Sequence, residues 1–334
     1  MRAVVYRSYG PPSVLSLENV DDAHERSAPG RGELRVRVFA ASLNPKDVLV
    51  RKGKYKLFTG HRFPKGLGYD YAGEVVACGR SAGFFANKDR VFGMIQTWDG
   101  GTCAEYITVR AEECARIPDS LGWEEAAAIP LAAQTALQAL RDVAKVRLGT
   151  RVLIHGASGG VGTFAIQIAK ALGAHVTAVS SSPNHDLCRT LGADETIDYQ
   201  TSSPFAAARG YDTIFDVFGN RTFTEARRAL HGRGTYVTTV PSRRTFLDIA
   251  KTLGAPQRAR LVKVRSKGSD LAYLAMLAEQ GRLRSIIHRV FDLHDVQAAS
   301  TQIETKRTRG KVVLRIREMP SDRSAGTISA AQSP

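Results

Sequence analysis

The chain has 334 residues, 43% of them hydrophobic and 24% charged, and a formal net charge of +15 at pH 7. That length accommodates two packed cores, the composition is that of a globular rather than a disordered chain, and no run approaches the roughly 18–20 apolar residues of a membrane-spanning helix. Cys78, Cys103, Cys114 and Cys188 stand far apart with no C-x-x-C pair, which supports neither a disulfide framework nor a structural zinc and points to packed thiols in a reducing compartment.

In chain order, Met1 begins without a leader-like apolar stretch, so the cytoplasm is the expected location, and residues 3–6 read as the first strand. Residues 33–40 alternate, with Leu34, Val36, Val38 and Ala40 on one face, the pattern of a half-buried strand. Residues 73–77 and 104–109 are further strands, and the Gly and Pro turns between them mark a strand-rich N-terminal unit. From Trp123 the texture changes. Residues 126–140 are alanine-rich and helical, interrupted by Pro130.

The stretch 152–162 carries the most information. A short apolar strand stops at a glycine cluster, and Val161, Phe164, Ala165, Ile168, Ala169 and Leu172 then recur at helical spacing. Against a G-x-G-x-x-G pattern, Ala157 takes the first glycine position and Gly159 and Gly162 the second and third. Strand, tight turn and helix start are what a dinucleotide pyrophosphate needs. Glycine lets backbone N–H groups approach the phosphates, and the helix N-terminus adds donors and partial positive charge. The strand at 174–179 then ends in Ser180-Ser181-Ser182, where an NAD site places an acid against the ribose 2′-hydroxyl; the first acid here is Asp186. Hydroxyls and the Asn184 amide can bond a 2′-phosphate that a carboxylate would repel, so NADPH is the expected cofactor. His185 and Arg189 are nearby sources of positive charge.

Strands at 213–218 and 235–240 flank a helix at 223–230, helices follow at 271–280 and 296–303, and 311–316 closes as a strand. Strands alternating with helices imply a doubly wound α/β parallel sheet covered on both faces. Residues 319–334 are polar and expected to be a disordered tail. Basic residues gather in two runs, Arg51 to Lys65 and Arg243 to Lys267. No nucleic-acid-binding signature accompanies them, so they read as solvated surface or as a field drawing in a polyanionic cofactor.

Several blocks stand in order along about residues 1–317: Ser42-Leu43-Asn44-Pro45-Lys46-Asp47, Gly68-Tyr69-Asp70-Tyr71-Ala72-Gly73-Glu74-Val75, Ala132-Ala133-Gln134-Thr135-Ala136-Leu137, the 152–162 turn, Leu191-Gly192-Ala193-Asp194 with Ile197-Asp198-Tyr199, and Arg309-Gly310-Lys311-Val312-Val313-Leu314. Together they resemble the zinc-independent, zeta-crystallin-like quinone oxidoreductase branch of the medium-chain dehydrogenase/reductase superfamily. The resemblance implies a GroES-like β-rich catalytic domain at 1–122, completed by 266–318, and a Rossmann NADP-binding domain at 123–265. Zinc alcohol dehydrogenases of the superfamily carry cysteine where this chain has Asn44, and Gly-His-Glu where it has Gly68-Tyr69-Asp70. The cysteine-rich loop for structural zinc is also missing, so no metal site is expected.

Without a metal Lewis acid, the implied chemistry is NADPH-dependent hydride transfer to an acceptor that is already electrophilic, a quinone or an activated enone. Hydrogen-bond donors would then stabilise the acceptor oxygen as it gains charge. The resemblance puts Asn44 and Tyr55 at the nicotinamide cleft as those donors. Their plainer readings are a turn asparagine before Pro45 and a half-buried tyrosine. Asp47 either orients a neighbour or caps locally. By the same resemblance Thr135 sits at the nicotinamide end, Ser158, Gly159, Gly160, Val161 and Gly162 cradle the pyrophosphate, Ser180, Ser181 and His185 meet the 2′-phosphate, and Gly219, Val240 and Lys311 complete the cofactor set. Residues 54–65, 97–101 and the stretch after Arg243 would shape the acceptor pocket. Relatives pair nucleotide-domain sheets edge to edge, so a homodimer is expected with the strand at 236–240 as the edge. The alternative is a non-catalytic NADPH-binding or RNA-binding protein on the same scaffold. Neither a specific nucleic acid nor a membrane is expected as a partner.

Overall fold

The computed structural model describes residues 1–22, 28–206 and 210–317; the tail expected at 319–334 lies outside the described residues. The apolar alternation at 34–40 becomes the eleven-residue strand Glu33–Leu43, the spine of a seven-stranded sheet. Along one side it pairs antiparallel with Asp70–Cys78. Along the other, its first half pairs with Tyr106–Arg110 and its second half with Lys311–Arg315. Ile287–Asp292 lies parallel to Lys311–Arg315 at one end of this sheet, and Arg90–Met94 and Cys114–Arg116 complete the other. The C-terminal strands therefore finish a sheet that the N-terminal strands begin.

Because the spine has neighbours on both sides and cover on both faces, it is not the half-buried strand that its alternation suggests. Arg35 and Phe39, on the face opposite Leu34 and Val36, are buried too. Phe39 stacks on Trp123 at 4.6 Å between ring centres, which docks helix Trp123–Ala128 onto the sheet. Pro130 interrupts the alanine-rich run as expected, and it does so by opening a second helix, Pro130–Leu137. At that position its missing N–H costs no hydrogen bond.

Residues 151–261 form a six-stranded sheet in the order Glu195–Asp198, His175–Ser180, Arg151–His155, Tyr211–Asp216, Leu230–Thr238, Arg258–Leu261, all parallel. This is the strand order of a dinucleotide-binding doubly wound sheet, whose ligands bind beyond the carboxyl ends where the order reverses. Helix Gly160–Ala171 buries Phe164, Ala165, Ile166, Ile168 and Ala169 against it. Burying a side chain such as Phe164 is worth roughly 1.5–3 kcal/mol. The same core cluster contains Ala40, Ala72 and Phe92 of the seven-stranded sheet, so one apolar body fixes the two sheets and the cleft between them.

Three expectations fail here. The helix at 223–230 is only Phe223–Ala226, because Leu230 already belongs to a strand that buries Tyr236 and Val237. The strand at 236–240 is not the sheet edge, because Arg258–Leu261 pairs outside it. Within the first basic run, Arg51 and Lys65 are buried rather than solvated, Arg51 against Glu304 and Lys65 3.0 Å from Asp99. All four cysteines are free thiols. Among the described residues, no helix is long and apolar enough to cross a membrane.

Candidate active site

The glycine turn is built by close approach. Gly156 has φ +82°, a conformation glycine adopts without steric cost, and its N–H and that of Ala157 bond the Val179 carbonyl at 3.2 and 3.1 Å. A Cβ at Gly162 would stand 2.2 Å from the Gly156 carbonyl oxygen, so only glycine lets the helix pack this close to the strand. Gly159, at the helix N-cap with φ −81°, would place a Cβ an ordinary 3.5 Å from that oxygen. Its glycine is therefore not needed for folding, and the space beside it is open to a ligand. The first-turn N–H groups of helix Gly160–Ala171 have no intrahelical partner, which makes this an anion site. The returning chain closes one wall: Gly310 N–H bonds the Ser158 carbonyl at 2.9 Å, and a Cβ at Gly160 would touch the Lys311 side chain at 3.1 Å.

At the carboxyl ends of the next strands, Ser180 is buried with its hydroxyl toward Cys188 and the Ser181 carbonyl. This corrects its expected place on the 2′-phosphate, since the strand end turns its side chain into the sheet. Ser181, Asn184 and His185 remain at the surface of the turn, the Asn184 amide donating to Ser181 Oγ at 3.0 Å. His185 Nε2 and Asn184 Oδ1 are shielded and have no hydrogen-bond partner. Arg309 reaches the Pro183 carbonyl at 3.4 Å, setting a guanidinium beside them. On the far side Gly219, φ +70°, meets Val240 so closely that a Cβ would lie 2.2 Å from the valine methyl.

A buried acid that sequence reasoning did not single out organises that loop. Asp216 accepts from Tyr236 Oη at 2.7 Å, Gly219 N–H at 2.9 Å and Arg221 N–H at 3.2 Å, and lies 2.9 Å from His155 Nδ1. Burial alone would raise its carboxyl, but the bonds from His155, Tyr236 and Gly219 outweigh burial and hold it below its ordinary range.

The floor of the cleft is a buried polar network. Asn44 Nδ2 donates to Asp70 Oδ2 at 2.9 Å and to the Ser42 carbonyl at 3.4 Å, while its Oδ1 accepts from Lys311 Nζ at 2.5 Å. Asp70 Oδ2 also accepts from Ser42 Oγ at 2.9 Å and lies 3.3 Å from Lys311 Nζ; its Oδ1 takes the Leu131 N–H at 2.8 Å. Both amide hydrogens of Asn44 are thus spent within the protein, which corrects its expected role as a direct donor to the acceptor. Asp47 is the local cap: Oδ2 accepts the Asn44 N–H at 2.7 Å and Oδ1 the Gly68 N–H at 3.0 Å. Burial pushes its carboxyl up to about 7 against the Asn44 bond, and the nearby charge of Asp70 adds to the rise. Thr135 Oγ1 bonds the Leu131 carbonyl at 2.7 Å, one residue's two backbone groups linking it to Asp70.

Tyr55 stands at the lip, half-buried, and its hydroxyl makes no hydrogen bond among the described residues. Its ring lies 5.5 Å from Trp98, which stacks on Phe58 at 5.0 Å, so the segments 54–65 and 97–101 do come together. The stretch after Arg243 joins them only at its far end, where Val264 packs on the Tyr69–Met94 cluster that Tyr55 also borders and the Ser266 N–H bonds Gln96 Oε1 at 2.7 Å. Helix Arg243–Lys251 packs on the edge strand Arg258–Leu261 instead. Sequence reasoning names Lys311 for the cofactor set and Trp98 within the 97–101 segment, but it misses Lys46, Asp70 and the pairing of Asp70 with Lys311. Asp70 and Lys311 lie inside the blocks that carry the resemblance, but no spacing rule couples residues so far apart.

Two family models match: one described as an alcohol dehydrogenase GroES-like domain over residues 30–119, the other as a zinc-binding dehydrogenase over 191–314. The donors at the cleft do not fit the zinc that the second description implies. Asn44 and Tyr69 replace thiolate and imidazole, and the Lys311 ammonium sits between Asn44 and Asp70, where a second cation would be repelled. The chain is 35% identical over 323 residues to the mouse mitochondrial NAD(P)H oxidoreductase RTN4IP1, covering 85% of this chain and 82% of that one. It is 32% identical over 325 residues to the chloroplastic quinone-oxidoreductase QR1 of Triphysaria versicolor, covering 94% and 98%. The solved quinone oxidoreductase of Coxiella burnetii superposes with a TM-score of 0.85 at 32% identity, covering 95% and 99%.

Proposed function

The chain belongs to the zinc-independent quinone oxidoreductase branch of the medium-chain dehydrogenase/reductase superfamily and is an NAD(P)H-dependent oxidoreductase; from that premise we propose that it uses NADPH to reduce a quinone or an activated enone. The observation that carries the cofactor choice is the end of strand His175–Ser180, where Ser181 and Asn184 stand beside Arg309, no residue of the turn before Asp186 is acidic, and the neighbouring Asp198 carboxylate is taken up by the Ser182 and Gln200 N–H groups. Donors and a fixed positive charge suit a 2′-phosphate; an acid would be needed to favour the free 2′-hydroxyl.

With its pyrophosphate at the glycine turn, the bound dinucleotide would supply a hydride from its reduced nicotinamide. The protein's part is placement and charge. Gly159, Gly160, Val161, Gly162 and the Ser158 segment hold the pyrophosphate against the helix N-terminus, with Lys311 on the opposite wall. Thr135, Gly219 and Val240 border the nicotinamide side. Asn44 and Asp47 position rather than react: Asp47 fixes the start of helix Pro45–Arg51, and Asn44 ties Asp70 to Lys311. Tyr55, at the lip with a hydroxyl that makes no hydrogen bond among the described residues, is one donor within reach of an acceptor oxygen there.

We place the enzyme in the cytoplasm as a homodimer joined along Arg258–Leu261, the outer strand of the parallel sheet. Fractionation and sedimentation test these two points. Steady-state rates with NADPH and NADH against a panel of quinones and enones test the function. Turnover with NADPH at a kcat/KM at least tenfold above NADH supports it, and equal use of both removes the 2′-phosphate assignment.

A further inference from the structure

Lys46 is a cation without a conventional partner. It is half-buried on helix Pro45–Arg51 and makes no ion pair and no hydrogen bond among the described residues. Lysines normally carry the ammonium out to water on their flexible stems. Here Nζ lies 3.5 Å from the centre of the Tyr69 ring and 5.6 Å from that of Trp98. Tyr69 is itself fixed, fully buried with its hydroxyl donating to the Trp98 carbonyl at 2.8 Å. Trp98 carries Tyr55 on one side and stacks on Phe58, and both Trp98 (42%) and Phe58 (65%) are open to solvent. The result is an aromatic bay, open at Trp98 and Phe58, with one ammonium over Tyr69 and Trp98. That ammonium is two residues from Asn44. Burial lowers its pKa, while Asp47 and Asp70 work against the fall.

A cation over two rings could simply brace them, since such contacts are worth roughly 0.5–2 kcal/mol. Bracing does not require three donor hydrogens to be left unused beside an exposed aromatic wall. Nor is Lys46 needed to satisfy Asp47 or Asp70, whose oxygens are already engaged by other groups.

We propose that Lys46 receives the acceptor oxygen, and that the bay of Tyr55, Phe58, Tyr69 and Trp98 selects flat aromatic quinones over short aliphatic enones. This rests on the hydride-transfer reading above. The hydride bonds to one quinone oxygen, its two electrons make the ring aromatic, and the charge settles on the other oxygen as a phenolate. That oxygen takes a proton from the Lys46 ammonium, and water returns a proton to the amine. Quinone, hydride and proton together give the hydroquinone.

The test uses p-nitrophenol, whose phenolate resembles the charged product and absorbs differently from the neutral phenol. The full chain, saturated with NADP+, is titrated with the probe across pH. Bound probe is expected to ionise about tenfold more readily than free probe, because a nearby cation favours the charged form. Lys46→Met should abolish that shift while leaving NADP+ affinity within twofold, and Lys46→Arg should keep most of it. Unshifted ionisation in the unaltered protein, or a full shift in Lys46→Met, overturns the proposal. If Lys46→Met does not fold, Lys46→Gln is read in its place by the same criterion. The readout needs no turnover. A protein that shows the shift but oxidises no NADPH would sink the hydride reading and keep the Lys46 assignment, while turnover with an unaffected shift in Lys46→Met would do the reverse.

Discussion

Lys311 and Asn44 are 267 positions apart in the chain and meet at 2.5 Å, ammonium to amide oxygen, over a carboxylate that both of them contact. The strand that returns at the C-terminus therefore holds up a cleft floor whose other members, Asn44 and Asp70, are N-terminal. Lys311 also lies against Gly160, so the same side chain spans floor and glycine turn.

Removing that lysine should be costly. Lys311 and Asp70 are both buried, and breaking such a pair from one side leaves an uncompensated charge. Lys311→Met should lower stability by about 3–5 kcal/mol in urea unfolding. Lys311→Met with Asp70→Asn should recover part of the loss, since the stranded charge goes with it.

The glycines of the turn divide into two kinds. Gly162→Ala drives a methyl into the Gly156 backbone and should destabilise the protein by several kcal/mol, on the order of the larger overpacking penalties. Gly159→Ala finds room within the protein, so its melting temperature should change little. Its methyl intrudes on the dinucleotide instead, and calorimetry should show NADPH binding weakened at least about tenfold.

Asp47 gives stability a dependence on pH with a definite sign. Its carboxyl is raised to about 7 in the fold from an ordinary value of 3.8. Between those two pH values the folded state holds a proton that the unfolded chain has released. Stability from this group is thus fully present below about pH 4 and is lost as pH rises to about 7, a change on the order of 4 kcal/mol. Urea unfolding from pH 4 to 8 should show Asp47→Asn lacking this fall, whatever its absolute stability.

Cofactor choice should reverse at the serine turn. Ser181→Asp sets a carboxylate beside His185 and Arg309, where it can take the ribose 2′-hydroxyl and repel a 2′-phosphate. The kcat/KM for NADPH should fall about a hundredfold, with NADH unchanged or improved, a swing of roughly 3 kcal/mol.

Much of this was legible in the sequence because it is local. The glycine turn, helix Gly160–Ala171, the alternating strands and the Pro130 break each follow from spacing within a few residues. What was not legible depends on partners distant in sequence. Alternation in Glu33–Leu43 showed one apolar face, but not that Arg35 and Phe39 would be covered on the other. Arg258–Leu261 is too short and too basic to read as a strand, so the sheet edge was placed one strand too early. Resemblance places Asn44 at the cleft. Its bonds to Asp70 and Lys311, which occupy its amide, exist only once the C-terminal strand is in place. Ser180 lies at the serine turn but faces inward, because alternate side chains of a strand point to opposite faces.

The most direct measurement is the initial rate of nicotinamide oxidation by the purified protein, with NADPH and then NADH, against a flat aromatic quinone such as 1,4-naphthoquinone. Oxidation should proceed with NADPH at a kcat/KM at least tenfold above that with NADH, and should survive exhaustive chelation of divalent metals. No oxidation with either cofactor, in protein shown to bind NADPH, or a rate that chelation abolishes and zinc restores, would contradict a metal-free NADPH-dependent quinone reductase.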